Sequence, residues 1–171
     1  EHGVILSIGM VNFFTGEAFY REIKYIEPIY ISAEAMRVNK LDVLSLDQEP
    51  RIPLKECDDA SFEFIKDLKW PKPMGMNVGT FDMRFIERYM GKLNKKFGYR
   101  SIDLNSLIFA EAILGKKFMF VKKHYKKYGY DVAKRIKPEL VAHHALFDCL
   151  SNCAIFSAII QYKPEWIKEY L

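Results

Sequence analysis

Val4-Ile5-Leu6-Ser7-Ile8-Gly9-Met10-Val11-Asn12-Phe13, then Phe14-Thr15-Gly16-Glu17, then Ala18-Phe19-Tyr20-Arg21-Glu22-Ile23-Lys24-Tyr25-Ile26, is the stretch that decides the fold. The first run is apolar with Ser7 and Gly9 interposed and reads as a strand. Residues 14–17 are a turn signal, and 18–26 read as the returning strand of an antiparallel pair. Alternating helices and strands follow. That order points to an α/β protein with a mixed β-sheet flanked by α-helices.

Working outward, Ser32 can cap a short helix over 32–38, whereas 39–55 stays open between short helix and loop, with Pro50 and Pro53 as breakers. Asp58 or Asp59 starts a helix to about Leu68, and Trp70-Pro71-Lys72-Pro73 stops it. Residues 73–77 suit a short strand. Over 81–97, Phe81, Phe85, Ile86, Tyr89, Met90, Leu93 and Phe97 recur at helical spacing and predict one amphipathic helix ended by Gly98. Residues 100–104 suit another strand, and two helices are expected from Asn105 to about Tyr128. A last long helix over 142–161 turns Leu146, Cys149, Leu150, Cys153, Phe156 and Ile160 inward.

The 171 residues are about half apolar, enough for one domain with a sizeable core. No apolar run is long enough to cross a bilayer. No signal peptide is visible and no Met opens the chain, so the sequence reads as a piece that begins mid-protein. Cys57, Cys149 and Cys153 are an odd number without a CxxC pair, which suggests buried thiols, a reducing compartment and a cytoplasmic setting.

The net charge of +4 is modest but unevenly spread. Lys116, Lys117, Lys122, Lys123, Lys126, Lys127, Lys134, Arg135 and Lys137 crowd one stretch in which Asp131 is the lone acid. Phe118, Phe120, Tyr125, Tyr128 and Tyr130 are interleaved. Basic groups attract phosphates and aromatic rings stack on bases, so this stretch is the one to set against single-stranded RNA or DNA. A solvated helix face over core aromatics explains the same letters.

Three signals stand off the apolar pattern. Asp82 follows the Gly-rich turn Gly75-Met76-Asn77-Val78-Gly79-Thr80-Phe81, although an aspartate at a helix start can also satisfy free backbone amides. His143-His144-Ala145-Leu146-Phe147-Asp148 sets Asp148 on a face with His144, Ser151 and Asn152, and His143 where the helix begins. A histidine beside a carboxylate can take a proton from water while the carboxylate holds a divalent metal, and a solvated polar face is the plain alternative. Asp103 ends a strand, where sites gather in α/β sheets, but an N-cap role for the next helix fits it better. Phosphodiester hydrolysis needs an activated water and a stabilised leaving oxygen. Two hard cations such as Mg²⁺ or Mn²⁺, held by carboxylates, supply both.

Asn77-Val78-Gly79-Thr80-Phe81-Asp82-Met83-Arg84-Phe85 resembles the second motif of the DEDDh 3′–5′ exonucleases. His143 through Asp148 resembles their third, H-x4-D, and residues 5–11 look like the strand after their first. The run from Asp82 to Met90, followed by Phe97-Gly98-Tyr99-Arg100-Ser101-Ile102-Asp103, is similar to oligoribonucleases. The resemblance implies a ribonuclease H-like fold, metal ligation by Asp82 and Asp148, and His143 as general base. It also implies substrate contacts from Asn77, Phe81 and Tyr99, and a homodimer in which Tyr99 caps the partner's substrate. Residues 33–68 and 116–137 depart from oligoribonucleases, which sets a preference for very short RNA in doubt. The family's D-x-E pair does not precede Ile5, and Glu1 is too close to that strand to supply it. The pair is expected upstream, in a domain lacking its first strand and motif. The other expectation, from a different class, is a degenerate module that binds nucleic acid or a protein partner without cutting.

Overall fold

The computed structural model describes residues 3–26, 47–48, 50–115 and 118–171. The helix expected over 32–38 and the open stretch 41–46 lie outside the described residues, as do Lys116 and Lys117.

Strands β1 (Ser7–Val11) and β2 (Ala18–Lys24) pair antiparallel, with Ser7 opposite Glu22, Gly9 opposite Tyr20 and Val11 opposite Ala18. The strand β3 (Ile52–Pro53) joins the far side of β2 in parallel. The chain continues through α1 (Leu54–Ile65), β4 (Met74–Gly75), α2 (Asp82–Tyr89), α3 (Gly91–Phe97), β5 (Ile102–Asp103), α4 (Leu104–Ile113), α5 (Phe118–Ile136) and α6 (Ala145–Ile160). A 3₁₀ turn over Glu165–Tyr170 closes it. This is a mixed α/β architecture.

Alternation along β1 divides the molecule into two layers. Ile8 and Met10 join Phe19 and Ile23 in a core with Ile65 of α1, Ile86 of α2, and Leu93 and Phe97 of α3. Val11 turns the other way, into the cores formed by α5 and α6. A strand's side chains point to opposite faces in turn, so helices cover both sides of the pair. Gly9 permits the closest approach: a Cβ there would lie 2.6 Å from the carbonyl carbon of Ala145 and 2.7 Å from the amide nitrogen of Leu146. The start of α6 therefore rests directly on β1.

Several sequence expectations need correction. The single mixed sheet is, among the described residues, two small ones: β1-β2-β3 and a parallel pair β4-β5. The strands expected over 73–77 and 100–104 keep only two ladder residues each, because turns or helices begin immediately after them. The helix expected from Asp58 starts at Leu54, behind Pro53, whose fixed φ suits a helix entrance. Asp58 instead caps a different helix, its two carboxylate oxygens accepting the amides of Lys92 and Leu93, each at 3.0 Å. That cap explains the next correction. The helix expected over 81–97 breaks at Met90, whose backbone leaves the helical region (φ −128°, ψ 74°). Gly91 weakens the helix there and Asp58 satisfies the orphan amides of a new one. Met90 and Leu93 are wholly buried at the break.

Gly98 ends α3 with φ 68°, as its residue type suggests, and Asp103 caps α4 by accepting the amide of Asn105 at 2.8 Å. The last helix is buried more widely than one stripe. Phe147, Ala154 and Ile155 are interior, and Ile160, expected inward, is exposed. Flanked by β1, α4 and α5, α6 is an interior helix, so a one-sided pattern cannot describe it. Among the described residues, no helix is long and apolar enough to cross a membrane.

Candidate active site

Two turns converge on the start of α6. In the first, Asn77 sits in the left-handed region (φ 57°) and its carbonyl accepts the amides of Thr80 and Phe81 at 3.1 and 2.9 Å. This winds the chain into α2. Asp82 is the first residue of that helix. The N-cap position belongs to Phe81, which makes no side-chain cap bond, and the amide that Asp82's carboxylate meets is its own. Asp82 is thus not serving as an N-cap, the structural role its position first suggested.

In the second turn, His143 is also left-handed (φ 70°), a conformation costly for a residue with a Cβ. Its amide donates to Asp148 Oδ1 at 3.2 Å, across the first turn of α6. The imidazole of His143 is exposed, at the mouth of the site.

The charge of Asp148 reaches Asp82. Burial, followed by the negative charge of Asp148, raises the Asp82 carboxyl to about 6, although the residue keeps an open face to solvent. Burial likewise raises Asp148, opposed by the hydrogen bond from the His143 amide and by the nearby His143, His144 and Lys126 side chains. Both carboxylates also act on Cys149, whose thiol burial lifts far above its ordinary range and which donates to the Gly9 carbonyl at 3.2 Å. Cys149 lies next to Asp148 on α6 and stays protonated. Two carboxylates close enough for the charge of one to raise the other are oxygen donors of the kind that suits a hard cation such as Mg²⁺ or Mn²⁺. Among the described residues, no group of three or more His, Cys, Asp or Glu is placed to hold a metal ion.

The flanks of the site were not legible as functional in the sequence. The ring of His144 stacks on Tyr20 at a centroid distance of 4.3 Å, and burial lowers its pKa, so this imidazole is neutral. Tyr20 donates to Glu22 at 3.0 Å, and Glu22 pairs with the buried Arg51 at 2.8 Å. This chain of contacts anchors the turn that carries His143. The register places Tyr20 opposite Gly9, on the face of the pair that the start of α6 covers. Ser151 and Asn152, read as sharing a face with Asp148, lie between elements. A Cβ at Gly129 would meet Ser151 Oγ at 2.6 Å, and one at Gly75 would meet Asn152 Nδ2 at 3.1 Å.

The three expected substrate contacts fall in different places. The Asn77 side chain accepts from Asn105 Nδ2 at 2.6 Å and so locks its turn to α4. Phe81 is exposed beside Asp82, its ring 5.3 Å from that of Phe85. Tyr99 is almost fully exposed and belongs to another concavity, an open groove of about 430 Å³ lined by Met83, Glu87, Asn94, Lys95 and Arg100. Comparison with models of known protein families and with curated proteins finds no match to this chain.

Proposed function

We propose that this chain carries a DEDDh-type 3′–5′ exonuclease domain with a ribonuclease H-like fold, acting on RNA or single-stranded DNA. The observation that carries the reading is the convergence of Asp82 and Asp148, from two distant helices, with His143 bound through its backbone to Asp148. Helices on both faces of an antiparallel pair support the fold reading. So does the position of each aspartate in the first turn of its helix.

In this reading Asp82 and Asp148 hold divalent cations, Mg²⁺ or Mn²⁺, with two further carboxylates contributed from outside the described residues. The cations would supply charge stabilisation at the phosphodiester. His143, its side chain free of the core, takes the proton from the attacking water at an imidazole nitrogen. Phe81 offers an exposed ring beside Asp82 for the terminal base. A homodimer that brings Tyr99 to the partner's substrate and a cytoplasmic setting belong to the same proposal.

One observation favours a second reading, a degenerate module that binds without cutting: among the described residues no group of three or more His, Cys, Asp or Glu is placed to hold a metal ion. His143→Ala separates the two. The exonuclease loses roughly 10²- to 10⁴-fold in cleavage rate, the usual share of a general base, with oligonucleotide binding in chelator unchanged. Cleavage at the wild-type rate overturns the role of His143. Binding without cleavage by the unsubstituted protein supports the second reading.

A further inference from the structure

The basic run in the sequence is not one surface. In α5 its C-terminal cations are committed to structure. Lys134 donates to the carbonyls of Pro138 and Leu140, Arg135 donates to the carbonyl of Tyr170 at 3.0 Å, and Lys137 lies 3.9 Å from Glu139. They fasten the turn into α6 and the chain's last residues. The N-terminal half of the helix differs. Lys123, Lys126 and Lys127 are exposed, and Phe120 is 72% exposed.

Helical geometry then gives this half a direction. Lys122, Lys126, Tyr130 and Lys134 follow one another at intervals of four, so they form a single stripe, with a rise of about 6 Å from one to the next. Gly129 lies beside this stripe and presses α5 onto α6 at Ser151. At the site end, the half-exposed Tyr130 packs edge-on against Phe147, ring centroids 5.2 Å apart, and Phe147 immediately precedes Asp148. One turn further out, Lys126 is the lysine whose positive charge is felt by the Asp148 carboxyl. The stripe therefore begins at the catalytic mouth with an aromatic face and leads away from it through cations.

We infer that the face of α5 from Lys123 to Tyr130 is the track along which the body of a single-stranded nucleic acid lies, with Tyr130 stacking a base at the mouth and Lys126 and Lys123 holding successive phosphates. The inference deepens the exonuclease reading and rests on it for the identity of the site. It adds a substrate class: strands several nucleotides long, whose 3′ end reaches Asp82 and Asp148 while the rest runs along α5. A dinucleotide spans only the mouth and makes little use of the track. A single strand suits the surface better than a duplex, because an exposed ring can stack only on an unpaired base.

The test measures binding in chelator, so that nothing is cut, to single-stranded RNA and DNA of two, six and twelve nucleotides. Affinity of the wild-type protein rises with length and falls steeply with salt, as phosphate neutralisation requires. Lys126→Glu weakens the twelve-nucleotide complex by about tenfold or more and flattens the length dependence. Lys126→Gln lies between. Tyr130→Ala weakens binding where Tyr130→Phe does not, by roughly the 1–3 kcal/mol of a stacked base, or about 5- to 150-fold. Lys163→Glu, an exposed charge change elsewhere, leaves affinity as it was. Equal affinity of wild type and Lys126→Glu for the longest strand overturns the track, as does affinity that does not change with length. Cleavage with Mn²⁺ is scored separately. A protein that shows this binding pattern but never cuts retains the track and loses the exonuclease.

Discussion

Two turns of this molecule are built on the same plan and finished differently. In 77–82 and in 143–148 a non-glycine residue takes the left-handed conformation, and an aspartate follows five residues later in the first turn of a helix. In the first turn the left-handed residue is tied down, its side chain bonded to Asn105 and its carbonyl to two amides. In the second, only the backbone of His143 is tied, through its amide to Asp148, and the imidazole is exposed. The comparison teaches a division of labour. One turn is a fixed mount for a carboxylate; the other is a mount that also presents a proton-accepting side chain. A left-handed residue with a Cβ costs about 1–2 kcal/mol, and it persists where surrounding contacts over-determine it.

The largest expected effect tests whether both turns serve one site. Asp82→Ala and Asp148→Ala should each lower metal-dependent cleavage by about a thousandfold, the several kcal/mol that cation stabilisation supplies. A large loss at one aspartate with none at the other would break the parallel. Next comes the contact on which the second turn rests. Gly9→Ala drives a Cβ into the Ala145 backbone and should cost about 1–3 kcal/mol, read as a lowered urea midpoint. An unchanged midpoint would mean that α6 can shift off β1 freely. A smaller effect sharpens the first turn: Asn77→Ala should be about 1 kcal/mol less stable than Asn77→Gly, since both lose the Asn105 bond but only Ala keeps the left-handed strain. Equal stabilities would remove the strain from the account.

The smallest effect concerns pH. Asp82 is raised from the ordinary 3.8 to about 6, so the folded protein binds its proton more tightly than the unfolded chain does. Stability contributed by that group therefore falls as pH climbs from about 4 to about 6, and the loss is complete above it. Asp82→Asn should gain in stability over wild type at pH 7, measured in chelator, with the gain shrinking towards pH 4. Because Asp82 keeps a face to solvent, the gain is small. A gain that grows at low pH would contradict the assigned cause.

Much of this was legible in the sequence, and the failures have physical causes. The antiparallel pair was readable from Gly16 and the apolar runs around it, and Gly98 and Asp103 each did what their residue types prescribe. The break at Met90 was not readable, because the cap that permits it comes from Asp58, on another helix. Likewise the burial of α6 on several sides overrides a one-face pattern at Phe147, and Ile160 at the helix's last turn is left exposed. At the site, the spacing of His143 and Asp148 was visible and so was the isolation of Asp82. The anchoring of His144 by Tyr20, Glu22 and Arg51 was not, since it depends on strand register. The basic run was visible as composition. Its division into cations that fasten the α5–α6 turn and cations left facing solvent depends on carbonyls of Pro138, Leu140 and Tyr170 that sequence spacing does not bring near.

The measurement that bears most directly on the central claim follows 5′-labelled single-stranded RNA and DNA over time with Mn²⁺ or Mg²⁺, against a chelator control. The account predicts a ladder that shortens from the 3′ end only when metal is present. Intact strands in every lane, from a protein that still binds them, would contradict it.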